Sequence, residues 1–241
     1  MQSDYRAHVD RTKVDTAERL NRRFLATGLG TAGVFAALVV VAVLSGFGWF
    51  TIVVAALAML AGLTSALFAH RRRRALGLLI ADDGVAIAVV STGVQLAGAP
   101  LIPWSEIVFV GVLDDRRRTG RLQRLPFIGI FANTAVRAGS GTLLCELGVR
   151  DAPALRDAFA GAPGGERVTV FDEFDGRRRG LVPLLLDAVL DDASAHQAAQ
   201  VVVREAERRG IRARAFDRIF DYFEWRGPLI DRKWPVQKGT P

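Results

Sequence analysis

Residues 24–69 read FLATGLGTAGVFAALVVVAVLSGFGWFTIVVAALAMLAGLTSALFA and contain no Asp, Glu, Lys, Arg or His. One membrane crossing takes about 20 apolar residues, so this run is long enough for two. The break falls at Ser45-Gly46-Phe47-Gly48, where two glycines permit a tight turn and Trp49 suits the headgroup level. The reading is a transmembrane helical hairpin with spans over residues 24–44 and 49–69. Small residues recur at helical spacing in both spans: Gly28, Ala32, Gly33 and Ala37 in the first, Ala58, Gly62 and Ala66 in the second. Such stripes let helix backbones approach closely in lipid. Packing of the two spans on each other accounts for them first, and a stripe left over would support a homo- or hetero-oligomer.

Orientation follows from the basic residues. Arg6, Arg11, Lys13, Arg19, Arg22 and Arg23 precede the first span, Arg71, Arg72, Arg73 and Arg74 follow the second, and the turn is uncharged. Basic flanks stay on the cytoplasmic side, which predicts a two-span cell-membrane protein with both termini cytoplasmic. Arg22, Arg23 and Arg71 to Arg74 are the candidates for contact with anionic headgroups. A cleaved signal peptide is rejected, because the apolar run is too long and no small-x-small site precedes a polar mature segment. No ionisable residue lies in either span, which argues against an ion pathway through the hairpin.

Charge adds less than its size suggests. The net charge is +7, but only Lys13, Lys233 and Lys238 among the 32 basic residues are lysines. An arginine bias alongside abundant alanine reflects GC-rich coding as much as selected chemistry, and no nucleic-acid motif accompanies it. Nucleic acid is therefore not expected as a partner. The single cysteine, Cys145, has no partner for a disulfide within the chain, and the histidines at 8, 70 and 196 supply no thiol-activating neighbour in sequence. It reads as a small apolar strand residue.

Residues 1–23 are polar, with Val14, Ala17 and Leu20 spaced for a short helix leading into the first span. After the four arginines the pattern changes to short alternating runs. Strands are predicted over 76–81 and 85–90 around the turn Asp82-Asp83-Gly84, then 94–96, 103–113, 124–132 and 142–149, with a charged connection over 114–123. Strands this short and close together indicate an antiparallel barrel or sandwich. Residues 151–160 read as a helix capped by Asp151, and 167–174 as a further strand. The spacing predicts one long helix over 181–208, stopped by Gly210, and an amphipathic aromatic helix over 211–225.

The strand block resembles a bacterial pleckstrin-homology-like (PH-like) domain attached to a membrane hairpin. The resemblance rests on the hairpin with its basic exit, the Asp82-Asp83-Gly84 turn, and Ile102-Pro103-Trp104-Ser105-Glu106-Ile107, similar to that family's Ile-Pro-Trp entry into its third strand. It covers residues 75–160 and implies a small bent antiparallel barrel closed by a helix, with Trp104 and Ile107 in the core and a role in membrane-associated scaffolding. Relatives that bind phosphoinositides use basic residues in the first hairpin loop, where this chain has Asp-Asp-Gly. The closing helix is 151–160 or 181–208. The organisation read is a cytoplasmic segment over 1–23, the transmembrane hairpin over 24–70, a PH-like β domain over 71–175 and a C-terminal helical extension over 176–241. The fold class is a membrane-anchored α+β protein.

Sites are sparse. The connection holding Arg116, Arg117, Arg118 and Arg121 is a candidate contact for anionic headgroups or a partner, weighed against a solvated loop. Asp172, Glu173, Asp175, Asp187, Asp191 and Asp192 lack any metal-loop spacing and read as solvated charge, with Arg177 to Arg179 as a ready neutralising partner. There is no Walker loop, dinucleotide fingerprint, His-Glu-x-x-His or Cys-x-x-Cys pattern. No enzyme activity, cofactor or metal is expected. In the last helix, Phe216, Ile219, Phe220 and Phe223 belong to an apolar stripe that must be covered by its own domain, the membrane or a partner. The expected function is a scaffold or adaptor binding protein partners at the inner membrane face. The alternative is an accessory subunit of a larger membrane enzyme or transport complex.

Overall fold

A computed structural model of the chain describes residues 4–77, 84–97, 99–124, 141–160, 167–174 and 176–230. It divides into two compact units: residues 15–77, and the rest of the chain on both sides of them.

The first of these is a helical hairpin. Helix α1 (Arg11–Leu44) and helix α2 (Trp49–Gly77) are both long and apolar enough to cross a membrane. They meet at the expected turn. The Phe47 N–H donates to the Ala42 carbonyl at 2.9 Å and the Gly46 N–H to Val43 at 3.3 Å, with Gly46 at φ 69°. This is the helix-ending pattern that glycine makes cheap. Large side chains such as Val34, Leu44, Leu57 and Phe68 are exposed, whereas Ala32, Ala42, Ala55, Gly62, Ala66 and Ala69 are buried. Small residues inside and bulky apolar residues outside are the arrangement that lipid favours. Both helices run past the apolar run into arginine-rich turns, since arginine is a good helix former.

The second unit is α+β with two sheets. Strands β1 (Tyr5–His8), β2 (Val85–Val89), β3 (Gly93–Leu96) and β4 (Leu101–Pro103) form an antiparallel sheet in that order. Strands β5 (Ile107–Asp114), β6 (Leu143–Val149), β7 (Thr169–Phe174), β8 (Arg177–Leu185) and β9 (Arg212–Phe216) form the other, ordered β7-β8-β6-β5-β9. Among the described residues only the β5–β9 pair is parallel. Helices α3 (Arg116–Gln123), α4 (Ala152–Ala158), α5 (Leu186–Val189), α6 (Asp192–Arg208) and α7 (Ile219–Ile230) complete it. Helix α6 buries Ala195, Ala198, Ala199, Val202 and Ala206, a helical stripe of small residues.

Several expectations are corrected. The described strands form two open sheets and no closed barrel is shown; most of the strand block expected over 124–132 lies outside the described residues. Of the strand expected over 76–81, residues 78–81 lie outside the described residues. The two edges of β2 are taken by β1 and β3, and Leu76 and Gly77 belong to α2. Since β1 precedes the hairpin and β2 follows it, the chain leaves this unit through α1 and returns to the same unit after α2. The polar N-terminal segment thus contributes a strand, too short at four residues to register as a pattern. Residues 114–123 hold helix α3 instead of an open connection. The strand expected over 124–132 lies outside the described residues, Arg124 excepted.

The long helix over 181–208 is a strand, a short helix and a second helix. An unbroken apolar run such as Leu181–Leu186 has no period to separate a buried strand from a helix. Pro183 sits in β8 beyond the end of β7, where β6 is the only neighbouring strand among the described residues and a missing N–H is tolerated. Residues 211–225 likewise divide into β9 and the start of α7. Other elements appear as read: Asp151 caps α4, accepting from the Ala154 N–H at 3.1 Å. Ile102, Trp104 and Ile107 are all buried.

Candidate functional site

The parallel pairing of β5 and β9 brings together two segments about a hundred residues apart. Leu113 pairs with Phe216, so both strands run out at one level. After β5 the chain turns through Asp115 into α3, where the Thr119 N–H donates to the Asp115 carbonyl at 3.0 Å. After β9 it turns through Asp217 and Arg218 into α7, where the Tyr222 N–H donates to the Arg218 carbonyl at 3.1 Å. Between the two helix starts lies a cleft of about 440 Å³. Asp115, Arg118 and Arg121 line it from α3 and the turn before it, and Asp217, Arg218 and Asp221 from the start of α7 and its own preceding turn. Ile219 and Phe220 supply its apolar part, and Phe220 is 76% exposed.

Helix α7 is held rigidly beside this cleft. Tyr222 is fully buried, and its hydroxyl donates to Glu146 Oε2 on β6. Arg226 Nη1 donates to the same oxygen at 2.8 Å. The ring lies on Gly111 of β5, where an added Cβ would come within 2.6 Å of Tyr222 Cε2. Burial, then the adjacent Glu146 carboxylate, pushes the Tyr222 phenol well above its ordinary value. Arg226 also covers Phe223, at 4.7 Å from the ring centroid. At the far end of α7, Arg179 Nη1 donates to the Leu229 carbonyl at 2.5 Å. A buried network of this kind positions a helix.

The residues singled out from sequence are thus sorted. Arg118, Arg121, Ile219 and Phe220 converge on the cleft. Arg116 turns away, 3.9 Å from both Asp114 and Asp192. Phe216 is buried against Leu113 and Tyr222, and Phe223 is half-buried in the same cluster, so neither belongs to an exposed stripe. Arg117 lies on α3. In the hairpin, Arg22 and Arg73 both approach Glu18, at 3.5 and 3.6 Å, while Arg23, Arg71 and Arg74 are exposed and Arg72 is half-buried. In sequence Asp115 reads only as part of the charged connection, and Asp217, Arg218 and Asp221 only as the polar face of the last helix, because nothing local marks two strand ends as neighbours.

The acidic residues also separate. Asp187 is buried, not solvated: it accepts from the Thr142 N–H and hydroxyl at 2.7 and 2.6 Å and from the Leu143 N–H at 2.9 Å. Asp191 caps α6, and hydrogen bonds from Ser194 and Ala193 hold its carboxyl below the usual range. No group of acidic, histidine or cysteine side chains suited to a metal occurs among the described residues. Cys145 is buried, and burial followed by Glu146 pushes its thiol up to about 12, which leaves no thiolate near neutrality. No family model, curated protein or solved structure matches this chain.

Proposed function

We propose that this chain is a membrane-anchored adaptor that holds a protein partner at the cytoplasmic face. The carrying observation is the convergence of Arg118 and Arg121 with Arg218, Ile219 and the exposed Phe220 in one cleft. An exposed aromatic beside charges of both signs suits a protein surface with an apolar anchor and a polar rim. Balanced arginine and aspartate suit it better than a purely anionic headgroup. Two apolar helices supply the anchor, and the arginine asymmetry supports the cytoplasmic orientation. A PH-like origin for the strand block is part of this reading, supported by the burial of Ile102, Trp104 and Ile107.

The test is a photo-crosslinking amino acid at Phe220 in the full-length protein in cells, with Leu101, exposed on β4, as control. A discrete protein adduct from position 220, absent from 101 and lost on Arg118→Glu plus Arg121→Glu, is expected. Lipid adducts alone, or none, would remove the reading.

The second reading, a subunit of a larger membrane complex, has one observation in its favour. Gly30 and Gly33 of α1 have open space where a Cβ would stand, so small residues remain on its outer surface after the hairpin has formed. Stoichiometric co-purification of other membrane proteins, lost on Gly33→Leu, would favour it.

A further inference from the structure

Resting on the adaptor reading, we infer that the partner is held in part as an added β-strand: an extended acidic segment pairing with the outer edge of β9. Among the described residues four strands stand at sheet edges, β1 and β4 in one sheet and β7 and β9 in the other. An open edge presents unpaired N–H and C=O groups that accept another strand unless something blunts it. Three of the four are blunted. β1 has a register shift between Ala7 and His8, and β7 has one between Val170 and Glu173. β4 is three residues long and ends at Pro103. β9 alone runs in unbroken register, from Arg212 opposite Phe109 to Phe216 opposite Leu113.

The side chains of β9 leave its backbone accessible. Ala215 is exposed and Ala213 half-buried, neither large enough to shield the edge, and Arg212 and Arg214 are exposed beside them. No acidic side chain pairs with Arg212 or Arg214 among the described residues. The Arg214 guanidinium lies 5.0 Å from the Phe216 ring centroid, a contact that holds it at the edge.

Charge selects the occupant. A second copy pairing β9 with β9 would set arginine rows against each other, and like charges directly opposite are destabilising. A strand with acidic residues at alternate positions meets the same rows favourably, with backbone pairing for affinity and alternate side chains for choice. The cleft lies at the carboxyl end of β9, where Asp217 and Arg218 follow Phe216. A partner strand on this edge would therefore continue towards Phe220.

The probe is a fluorescent peptide of alternating glutamate and valine, titrated against the full chain in neutral-lipid nanodiscs. The two control peptides are one that alternates lysine with valine and a glutamate–valine peptide N-methylated at every residue. The unmethylated glutamate–valine peptide is expected to bind at least about tenfold tighter than either control, because one control reverses the charge and the other has no N–H groups to donate to a ladder. Arg212→Glu plus Arg214→Glu should invert the preference towards the lysine peptide; Arg212→Gln plus Arg214→Gln, the gentler change should that variant misfold, should abolish it. Equal binding of the two glutamate peptides would overturn strand addition in favour of plain charge attraction. Absence of binding, or a β9-dependent dimer of the protein itself, would overturn it too. A Phe220 crosslink that persists in those cases leaves the adaptor reading standing without this docking mode.

Discussion

Gly28 and Gly62 meet backbone to backbone across the hairpin. A Cβ built on Gly28 would lie 2.8 Å from the Gly62 carbonyl oxygen, and one built on Gly62 would lie 2.8 Å from the Gly28 oxygen. The contact is reciprocal and made against main chain, which cannot swing aside as a side-chain tip does. Overpacking of this kind costs about 1–3 kcal/mol. Gly28→Val and Gly62→Val should each lower the thermal midpoint of the protein in mild detergent. Gly33→Val, into open space, should change it far less. Equal effects at all three positions would disprove the crossing.

Trp104 ties the two sheets' connection together. It is 7% exposed, its indole N–H donates to the Val90 carbonyl at 2.9 Å, and the Arg209 guanidinium lies 4.6 Å from its ring centroid. Trp104→Ala should destabilise the protein by about 3–5 kcal/mol. Trp104→Phe should recover much of that loss while leaving the Val90 carbonyl without its donor. Denaturant midpoints of the two variants would show the difference.

Phe216 and Phe220 sit four residues apart but should behave oppositely. Phe216 is buried in an aromatic cluster with Tyr222 and Trp225, whereas Phe220 projects into the cleft. Phe216→Asp should unfold or strongly destabilise the protein; Phe220→Asp should leave its midpoint within about 0.5 kcal/mol of wild type and affect partner binding alone. Circular dichroism melting of each single variant checks this.

Alkaline pH should weaken the fold. Cys145 and Tyr222 both hold their protons more tightly in the folded state, chiefly through burial and then through Glu146. Their contribution is complete below the ordinary values of 9.0 and 10.0 and is lost as pH rises above them, towards about 12 for Cys145. Urea midpoints should therefore fall above pH 9.0, and Cys145→Ala should flatten the early part of that fall. Tyr222→Phe should cost about 1–3 kcal/mol at neutral pH, by removing one donor to buried Glu146, and should flatten the later part.

Topology has a labelling test. A cysteine replacing Ser45 in a Cys145→Ala background should react with an impermeant thiol reagent in intact cells, while cysteines at the exposed positions Asp4 and Ala154 should not. Native Cys145 is uninformative here because it is buried. Labelling at 4 and 154 with protection at 45 would reverse the orientation.

What the sequence by itself determined was whatever closes its hydrogen bonds locally. A helix satisfies its backbone within the segment, so the uncharged run, the Ser45–Gly48 break and the Asp151 cap were each readable in place. Short β-branched and apolar runs bounded by polar segments likewise revealed β5 and β6, which bury most of their residues. Tertiary structure decided the rest, because a strand borrows its partners from far along the chain. Leu181–Leu185 and Arg212–Phe216 read equally well as helix. They are strands because β6 and β5 stand ready to pair with them. Tyr5–His8 is a strand only because β2 offers an edge. The cleft follows from that same pairing: Arg118 and Phe220 become neighbours only once β5 and β9 lie parallel, with their carboxyl ends level.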